Sequence, residues 1–253
     1  MEKRNGVIRI TMKQILLYSG GLDSAAAAFL HPKASLVYVN YHGKYCDKEQ
    51  SYLFEAASLL RREVHLIHKT LDLSDLESGE GAFLPNRNAF LILTAINIVC
   101  NPIYGDETDF EIILNATASG IHTDKDEIFA SKMSDLLNYM NRGGADSPAK
   151  TYKIVLPTKH LTKIQIVSQF LAQGGVPEIL NKSVSCYDKH KRQCGECRSC
   201  CRKFVALKAN EIICDFTPTK EALSKMRQRC LDQTWCSSEV EMEESLKVLE
   251  CVL

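Results

Sequence analysis

Short apolar runs recur along the first two-thirds of the chain, and segments with helical spacing of apolar residues separate them. Runs of this length, bounded by polar or turn residues, are typical of strands that a sheet buries on both faces. The predicted strands are Gln14–Tyr18, Leu36–Tyr41, Val64–His68, Phe110–Ala116 and Lys153–Pro157. The predicted helices are Ser24–Leu30, Asp47–Arg62, Asn88–Val99, Asp124–Asn141 and Thr162–Gln173.

This strand–helix alternation predicts an α/β fold, in which a parallel five-stranded sheet carries helices on both faces. The pattern changes after residue 181, where 182–203 is poor in apolar residues and rich in Cys, Lys and Arg, and 204–253 is helical. We therefore predict an N-terminal extension (1–12), an α/β domain (13–180) and a cysteine-bearing helical lobe (181–253). The acidic segment at the end has a stripe that predicts a packing helix: Val240, Leu246, Leu249 and Val252.

Composition limits the class of partner. The 253 residues are 45% hydrophobic, and 31 Lys and Arg balance 31 Asp and Glu. Without a basic excess, extended nonspecific binding to nucleic acid is disfavoured. No apolar run approaches the roughly 20 residues needed to span a bilayer. The charged start of the chain also lacks the apolar core of a secretion signal, so we expect a cytoplasmic protein.

The turn after the first strand reads Ser-Gly-Gly-Leu-Asp-Ser at 19–24. Glycines let a ligand approach the backbone, and the N–H groups at the start of the next helix attract a phosphate. Asp23 either caps that helix or holds a Mg²⁺ ion that bridges phosphates. The turn is neither a Walker loop nor a GxGxxG motif. A plain strand-to-helix turn is the alternative to phosphate binding.

Five of the eleven cysteines fall between residues 186 and 201. Clustered cysteines in a chain without a secretion signal favour a metal over disulfides. Cys186, Cys194, Cys197 and Cys200 form a candidate Zn²⁺ site with two overlapping CxxC pairs, and Cys201 is left out because adjacent cysteines rarely both reach one ion. A redox pair or an iron–sulfur cluster is the alternative.

The Ser-Gly-Gly-Leu-Asp-Ser turn resembles the pyrophosphate loop (PP-loop) of the adenine-nucleotide α-hydrolase-like ATPases. Together with Ser185-Cys186-Tyr187 and the CGxCxxC at 194–200, it resembles the 7-cyano-7-deazaguanine synthase (QueC-like) family. Pro-Asn-Arg-Asn at 85–88 and Leu-Thr-Lys at 161–163 extend the likeness, which covers about residues 13–208. The resemblance implies a ligase that uses ATP, Mg²⁺ and Zn²⁺ to adenylate the carboxylate of 7-carboxy-7-deazaguanine and form a C–N bond. It also implies a homodimer.

The resemblance places functional roles on particular residues. The catalytic candidates are Asp23, Lys163 and Arg87. The candidates for binding ATP are Ser19, Gly20, Gly21, Leu22, Asp23, Ser24, Asn40 and Tyr41. The candidates for binding the substrate are Arg87, Asn88, Ser119, Gly120 and His122. Lys163 and Arg87 are alternatively surface residues, and His122 is alternatively an exposed loop residue.

The stretch at 122–129 departs from the family pattern, because the family's Pro, Cys and Arg are absent there. This predicts a diverged member in which ATP activation is kept and either the nucleophile or the step after amide formation differs. In one version an amine of a protein, such as an N-terminus, replaces ammonia, as is thought for QueC-like proteins in bacterial antiphage defence. A PP-loop ATPase that modifies tRNA and a non-catalytic zinc-binding interaction module are further alternatives.

Overall fold

The computed structural model describes residues 12–68, 71–78, 84–99, 108–118, 123–144, 148–188 and 192–253. Five parallel strands form one sheet in the order β3-β2-β1-β4-β5. The strands are β1 (Lys13–Leu17), β2 (Ser35–Val39), β3 (Val64–Ile67), β4 (Asp109–Ile113) and β5 (Thr151–Val155). Each lies within three residues of the predicted bounds, so the predicted α/β class is confirmed.

The helices of the described residues follow the strands and then continue beyond the sheet. The first five are α1 (Leu22–Leu30), α2 (Cys46–Leu59), α3 (Arg87–Val99), α4 (Glu127–Met140) and α5 (Lys163–Ala172). The last four are α6 (Pro177–Lys182), α7 (Arg198–Ala209), α8 (Lys220–Leu231) and α9 (Glu239–Val252). Helix α4 begins three residues later than predicted, because residues 123–125 form a 3-10 turn and Asp126 caps the helix through Phe129 N–H.

Side chains that alternate along each strand build a core on both faces of the sheet. Ile15 and Leu17 face α3 and α4, whereas Leu16 between them faces α1 and α2. A further layer lies outside α1, where α5, α6 and α7 pack together, and α7 then packs against α8 and α9. The sheet is therefore buried on both faces, as its continuous apolar runs predicted.

The last helix, α9, packs against α7 and α8, but only part of its predicted apolar face is buried. Leu249 is fully buried, whereas Val240 is 51% exposed. The buried face instead includes Glu241, Met242 and Ser245, so the inclusion of Val240 in the packing stripe was wrong. Within the described parts of the chain, every helix is too short or too polar to cross a membrane.

Candidate active site and metal centre

The glycine turn lies at the carboxyl end of the central strand, β1, beside the point where the strand order switches to β4. Open parallel sheets bind ligands at this position. Gly20 has a φ of +71°, and a Cβ there would lie 3.3 Å from the Cα of Leu53. Gly20 therefore meets two requirements that favour glycine: left-handed backbone and close packing against α2.

Helix α1 begins at Leu22 without a side-chain cap from its own turn. Ser24 Oγ donates to Gly21 O at 2.9 Å and lies 3.3 Å from Ser19 Oγ. Asp23 is already the second residue of the helix, so the alternative in which it caps α1 is wrong. The start of α1 and the hydroxyl groups of Ser19 and Ser24 therefore lie together, and the start of a helix favours an anion.

The Asp23 carboxylate forms an ion pair with the Lys163 ammonium, which reaches it from the first turn of α5. Lys163 is only 8% exposed, so it is not a surface lysine. Thr162 and Gln165 form a capping box that starts α5 and thereby fixes where Lys163 leaves the backbone. The structure therefore brings together two residues that lie 140 positions apart in the sequence.

Further cations surround this pair. Burial alone would raise the pKa of Asp23, but Lys163, Arg202 and Lys125 together lower it and keep the carboxylate ionised. Glu241 in α9 holds the Arg202 guanidinium, with its Oε1 accepting from Nε at 2.9 Å and from Nη2 at 2.7 Å. A cluster of positive charge therefore lies beside the glycine turn, where a polyphosphate would be stabilised.

The four predicted metal ligands converge. The sulfur atoms of Cys186, Cys194, Cys197 and Cys200 all lie within 4.8 Å of one another. The Cys194 and Cys200 sulfurs are 3.8 Å apart, and Zn–S bonds of about 2.3 Å in a tetrahedron place sulfurs about 3.8 Å apart. The donor set and the spacing therefore fit Zn²⁺. Cys201 lies outside this group and packs in the apolar core between α7, α8 and α9.

The backbone around the cysteines is arranged for thiolates. Backbone N–H groups donate hydrogen bonds to the sulfur atoms. The Cys194 N–H donates to Cys186 Sγ at 3.2 Å, the Cys197 N–H to Cys194 Sγ at 3.2 Å, and the Cys200 N–H to Cys197 Sγ at 3.4 Å. Hydrogen bonds from the Cys197 and Cys200 thiols lower the pKa of Cys186. Gly195 has a φ of +73°, and a Cβ at this position would lie only 3.0 Å from the carbonyl oxygen of Thr217. Glycine therefore permits the tight CxxC turn. Such outer hydrogen bonds orient metal ligands.

The cysteine loop is bonded directly to the glycine turn. Ser185 Oγ accepts a hydrogen bond from the Leu22 N–H at 3.2 Å, and the Val184 N–H donates to Gly20 O at 3.0 Å. Lys48 in α2 also donates to the carbonyl of Cys186 at 3.2 Å. The candidate metal centre and the candidate nucleotide turn are therefore one connected structure.

Comparison with known proteins agrees with this pairing. A family model described as "Queuosine biosynthesis protein QueC" matches residues 54–211, which is more than half of the chain. The chain belongs to the QueC family.

Several curated relatives are named 7-cyano-7-deazaguanine synthase. The chain is 27% identical over 210 residues to one from a Nitratiruptor species, covering 75% of this chain and 90% of that protein. It is 27% identical to one from Campylobacter hominis, covering 75% and 91%. It is 26% identical to one from Saccharolobus solfataricus, covering 83% of this chain but only 47% of that protein, so the chain spans about half the length of that relative.

The matched region of this QueC family member includes Arg87 and Asn88 at the start of α3. The Arg87 guanidinium receives support from Tyr41, whose hydroxyl lies 3.4 Å from Nη1. No ion pair of Arg87 is found among the described residues, which leaves the guanidinium available to an anion. Asn88 Nδ2 donates to the Asp124 carbonyl at 3.1 Å.

Asn40 and Tyr41 lie just beyond the carboxyl end of β2, whereas the predicted second strand included both residues. The amide of Asn40 is buried, accepts from the His42 N–H at 2.8 Å and donates to Gln50 at 3.3 Å. This amide therefore supports the loop after β2. Three further predicted substrate residues lie outside the described residues: Ser119, Gly120 and His122.

Three groups near the turn were not predicted as site residues. Lys125 lies in the stretch that departs from the family pattern, Arg202 lies in α7, and Ser185 bonds to α1. The only available signal was that Ser185 and Arg202 lie next to the candidate cysteine ligands, Ser185 just before Cys186 and Arg202 two residues after Cys200. The packing of α7 against α5 positions Arg202, and the contact of the turn at 123–125 with α3 positions Lys125.

Proposed function

We propose that this chain is an ATP-dependent ligase that adenylates the carboxylate of 7-carboxy-7-deazaguanine and then forms a C–N bond. The observation that carries the proposal is the Asp23–Lys163 pair beside the glycine turn, surrounded by Arg202 and Lys125. Membership of the QueC family and the names of the relatives supply the substrate class.

In this proposal the triphosphate of ATP occupies the turn at 19–24. The N–H groups of the turn, Ser19 and Ser24 bind the phosphate oxygens. Lys163, Arg202 and Lys125 stabilise the negative charge that builds up as the substrate carboxylate attacks the α-phosphate and pyrophosphate leaves. Asp23 would hold Mg²⁺, which neutralises phosphate charge when it is bound. Arg87 binds and orients the substrate carboxylate.

An amine nitrogen then attacks the acyl carbon of the adenylate, so that the C–N bond forms, AMP leaves and a proton is released. With ammonia the product is the amide, and loss of water from that amide, driven by a second ATP, gives 7-cyano-7-deazaguanine. Because the stretch at 122–129 departs from the family pattern, an amine of a protein, for example an N-terminus, is the second candidate nucleophile.

The same proposal divides the chain into a nucleotide-binding part (13–180) and a metal-binding helical part (181–253), and it includes a homodimer. We also propose that the four cysteines hold Zn²⁺, which orders the loop that contacts α1 through Ser185. Sedimentation tests the dimer, and metal analysis tests the zinc.

The deciding experiment incubates the protein with ATP, Mg²⁺, 7-carboxy-7-deazaguanine and ammonia and measures AMP. We expect AMP to depend on the deazaguanine carboxylate, and mass spectrometry of the product then separates nitrile, free amide and protein conjugate. Absence of AMP with every nucleophile tested would refute the ligase. Lys163→Met should abolish AMP formation, whereas Lys182→Met, which removes a half-exposed lysine that pairs with Glu178, should not.

A further inference from the structure

The carboxyl group of Glu49 lies in the first turn of α2, beside the carboxyl end of β2. Its Oε2 accepts a hydrogen bond from the Tyr38 hydroxyl at 3.3 Å. That is its only hydrogen bond within the described part of the chain, and no ion pair of Glu49 is found there. Its second oxygen is therefore available as an acceptor.

This carboxyl group lies in surroundings that disfavour its charge. Burial raises the pKa of Glu49 to about 7, and the nearby Arg87 guanidinium opposes that rise. The groups that act on it from the surrounding elements are Tyr38, Tyr41, Cys46, Lys48, Glu77, Arg87 and Tyr187. An ionised carboxylate here is poorly satisfied by the protein, so a ligand with N–H groups would stabilise it.

An aromatic surface lies next to Glu49. The rings of Tyr45 and Tyr187 are 5.6 Å apart with an interplanar angle of 34°, and Tyr187 is 47% exposed. Tyr187 follows the metal ligand Cys186, and Lys48 donates to the carbonyl of Asp188 at 2.5 Å, which fixes this loop against α2. A flat heterocycle stacks favourably on such an exposed ring.

The same neighbourhood extends to the phosphate side of the site. Arg87 acts on both Glu49 and Lys125, and Lys125 in turn acts on Asp23. Arg87 therefore lies near Glu49 and Tyr187 as well as near the cations of the glycine turn. A ligand whose anionic group meets Arg87 would also have Glu49 within reach.

We propose that Glu49 is the specificity-determining residue for the heterocycle of the substrate, accepting the two adjacent N–H groups of a 2-aminopyrimidin-4-one ring that stacks on Tyr187. An ionised carboxylate has two acceptor oxygens at the spacing of such an N–H pair. In a 7-deazaguanine this pair lies on the six-membered ring, away from the carboxylate at position 7. The inference rests on the proposed function and names the residue that recognises its substrate class.

The test measures binding without ATP, by calorimetry at pH 8. The ligands are 7-carboxy-7-deazaguanine and the analogue that lacks the 2-amino group. The protein should prefer the amino compound by about 10-fold or more, since a hydrogen bond to a charged group contributes about 1.5–3 kcal/mol. Glu49→Gln should lose that preference, with a ratio near one. Asp47→Asn removes an exposed carboxylate from the same helix and should keep it.

Each outcome decides between the two proposals. If Glu49→Gln keeps both the affinity and the ratio while the protein still forms AMP from the deazaguanine carboxylate, the role of Glu49 is refuted and the ligase stands. If the unaltered protein binds neither ring, the role of Glu49 and the substrate class both fail.

A measurement on the unaltered protein covers the case in which Glu49→Gln does not fold. The preference for the amino compound should fall as the pH is lowered through about 7, because the protonated carboxyl group no longer accepts both N–H groups. A ratio that stays constant from about pH 5.5 to about pH 8.5 would overturn the assignment.

Discussion

Removal of the Asp23 carboxylate should lower both stability and turnover, for separable reasons. In Asp23→Ala the Lys163 ammonium, 8% exposed, loses its ion-pair partner while it stays next to Arg202. Breaking a fully buried ion pair costs about 3–5 kcal/mol. The side chain of Asp23 is 29% exposed, so solvent screening reduces the expected loss to about 2–4 kcal/mol.

Urea denaturation measures this free energy, and thermal unfolding gives a second readout. For a chain of this size about 1 kcal/mol corresponds to about 2–4 °C in Tm, so we expect a fall of about 5–15 °C. Asp23→Asn keeps an oxygen that can accept from Lys163 and should lose less. Asp23→Ala combined with Lys163→Met removes both charges and should recover part of the loss.

The surface pair Glu178–Lys182 supplies the matched control, because its nitrogen and oxygen atoms are 3.5 Å apart and both side chains are exposed. Glu178→Ala should change stability by less than about 0.5 kcal/mol. If Asp23→Ala has the same small effect as Glu178→Ala, the interpretation of the Asp23–Lys163 pair as a buried structural contact is wrong. Loss of AMP formation in a folded Asp23→Asn protein would then separately report the need for the negative charge.

Four further changes test other parts of the site. Cys197→Ser should lower zinc, measured by elemental analysis, from about one ion per chain, whereas Cys201→Ser should leave it unchanged. Ser185→Ala removes the acceptor of the first α1 N–H and should raise the KM for ATP with zinc retained. Gly20→Ala places a side chain at positive φ and should lower stability by about 1–2 kcal/mol in urea. Glu49→Gln should raise Tm at pH 8 but not at pH 4.5. Burial raises the pKa of Glu49 in the folded protein to about 7, so its ionisation reduces stability only at a pH above the pKa that Glu49 has in the unfolded chain.

The sheet, the glycine turn and the four cysteines could be predicted because their signals are local. Continuous apolar runs predicted the strands, and the spacing of Cys194, Cys197 and Cys200 predicted three candidate ligands within seven residues. Cys186 lies outside the two CxxC pairs but precedes Cys194 by only eight residues, so it was included as the fourth ligand. Local patterns are reliable where backbone geometry alone brings the residues together.

The cations around Asp23 could not be predicted in the same way. Arg202 comes from α7, which packs against α5, and Lys125 comes from the turn before α4, which packs against α3. These contacts between distant segments bring the two cations near Asp23. The acidic residues of α9 also carried no signal of their contacts, because a charged helix face usually points to solvent. Glu241 is instead 2% exposed and holds Arg202, while Glu244 accepts hydrogen bonds from Thr162 and Gln165 at the start of α5.

The contacts of the cysteine loop indicate how a metal outside the reacting groups would control the chemistry. The residues that contact the glycine turn, Val184 and Ser185, immediately precede the candidate ligand Cys186. Four thiolates around one ion would fix that loop, and the loop in turn holds the start of α1, which lies beside the proposed phosphate site. The sheet core lies on other residues and does not depend on this loop. Partial removal of the metal should therefore weaken ATP binding while the sheet is still folded.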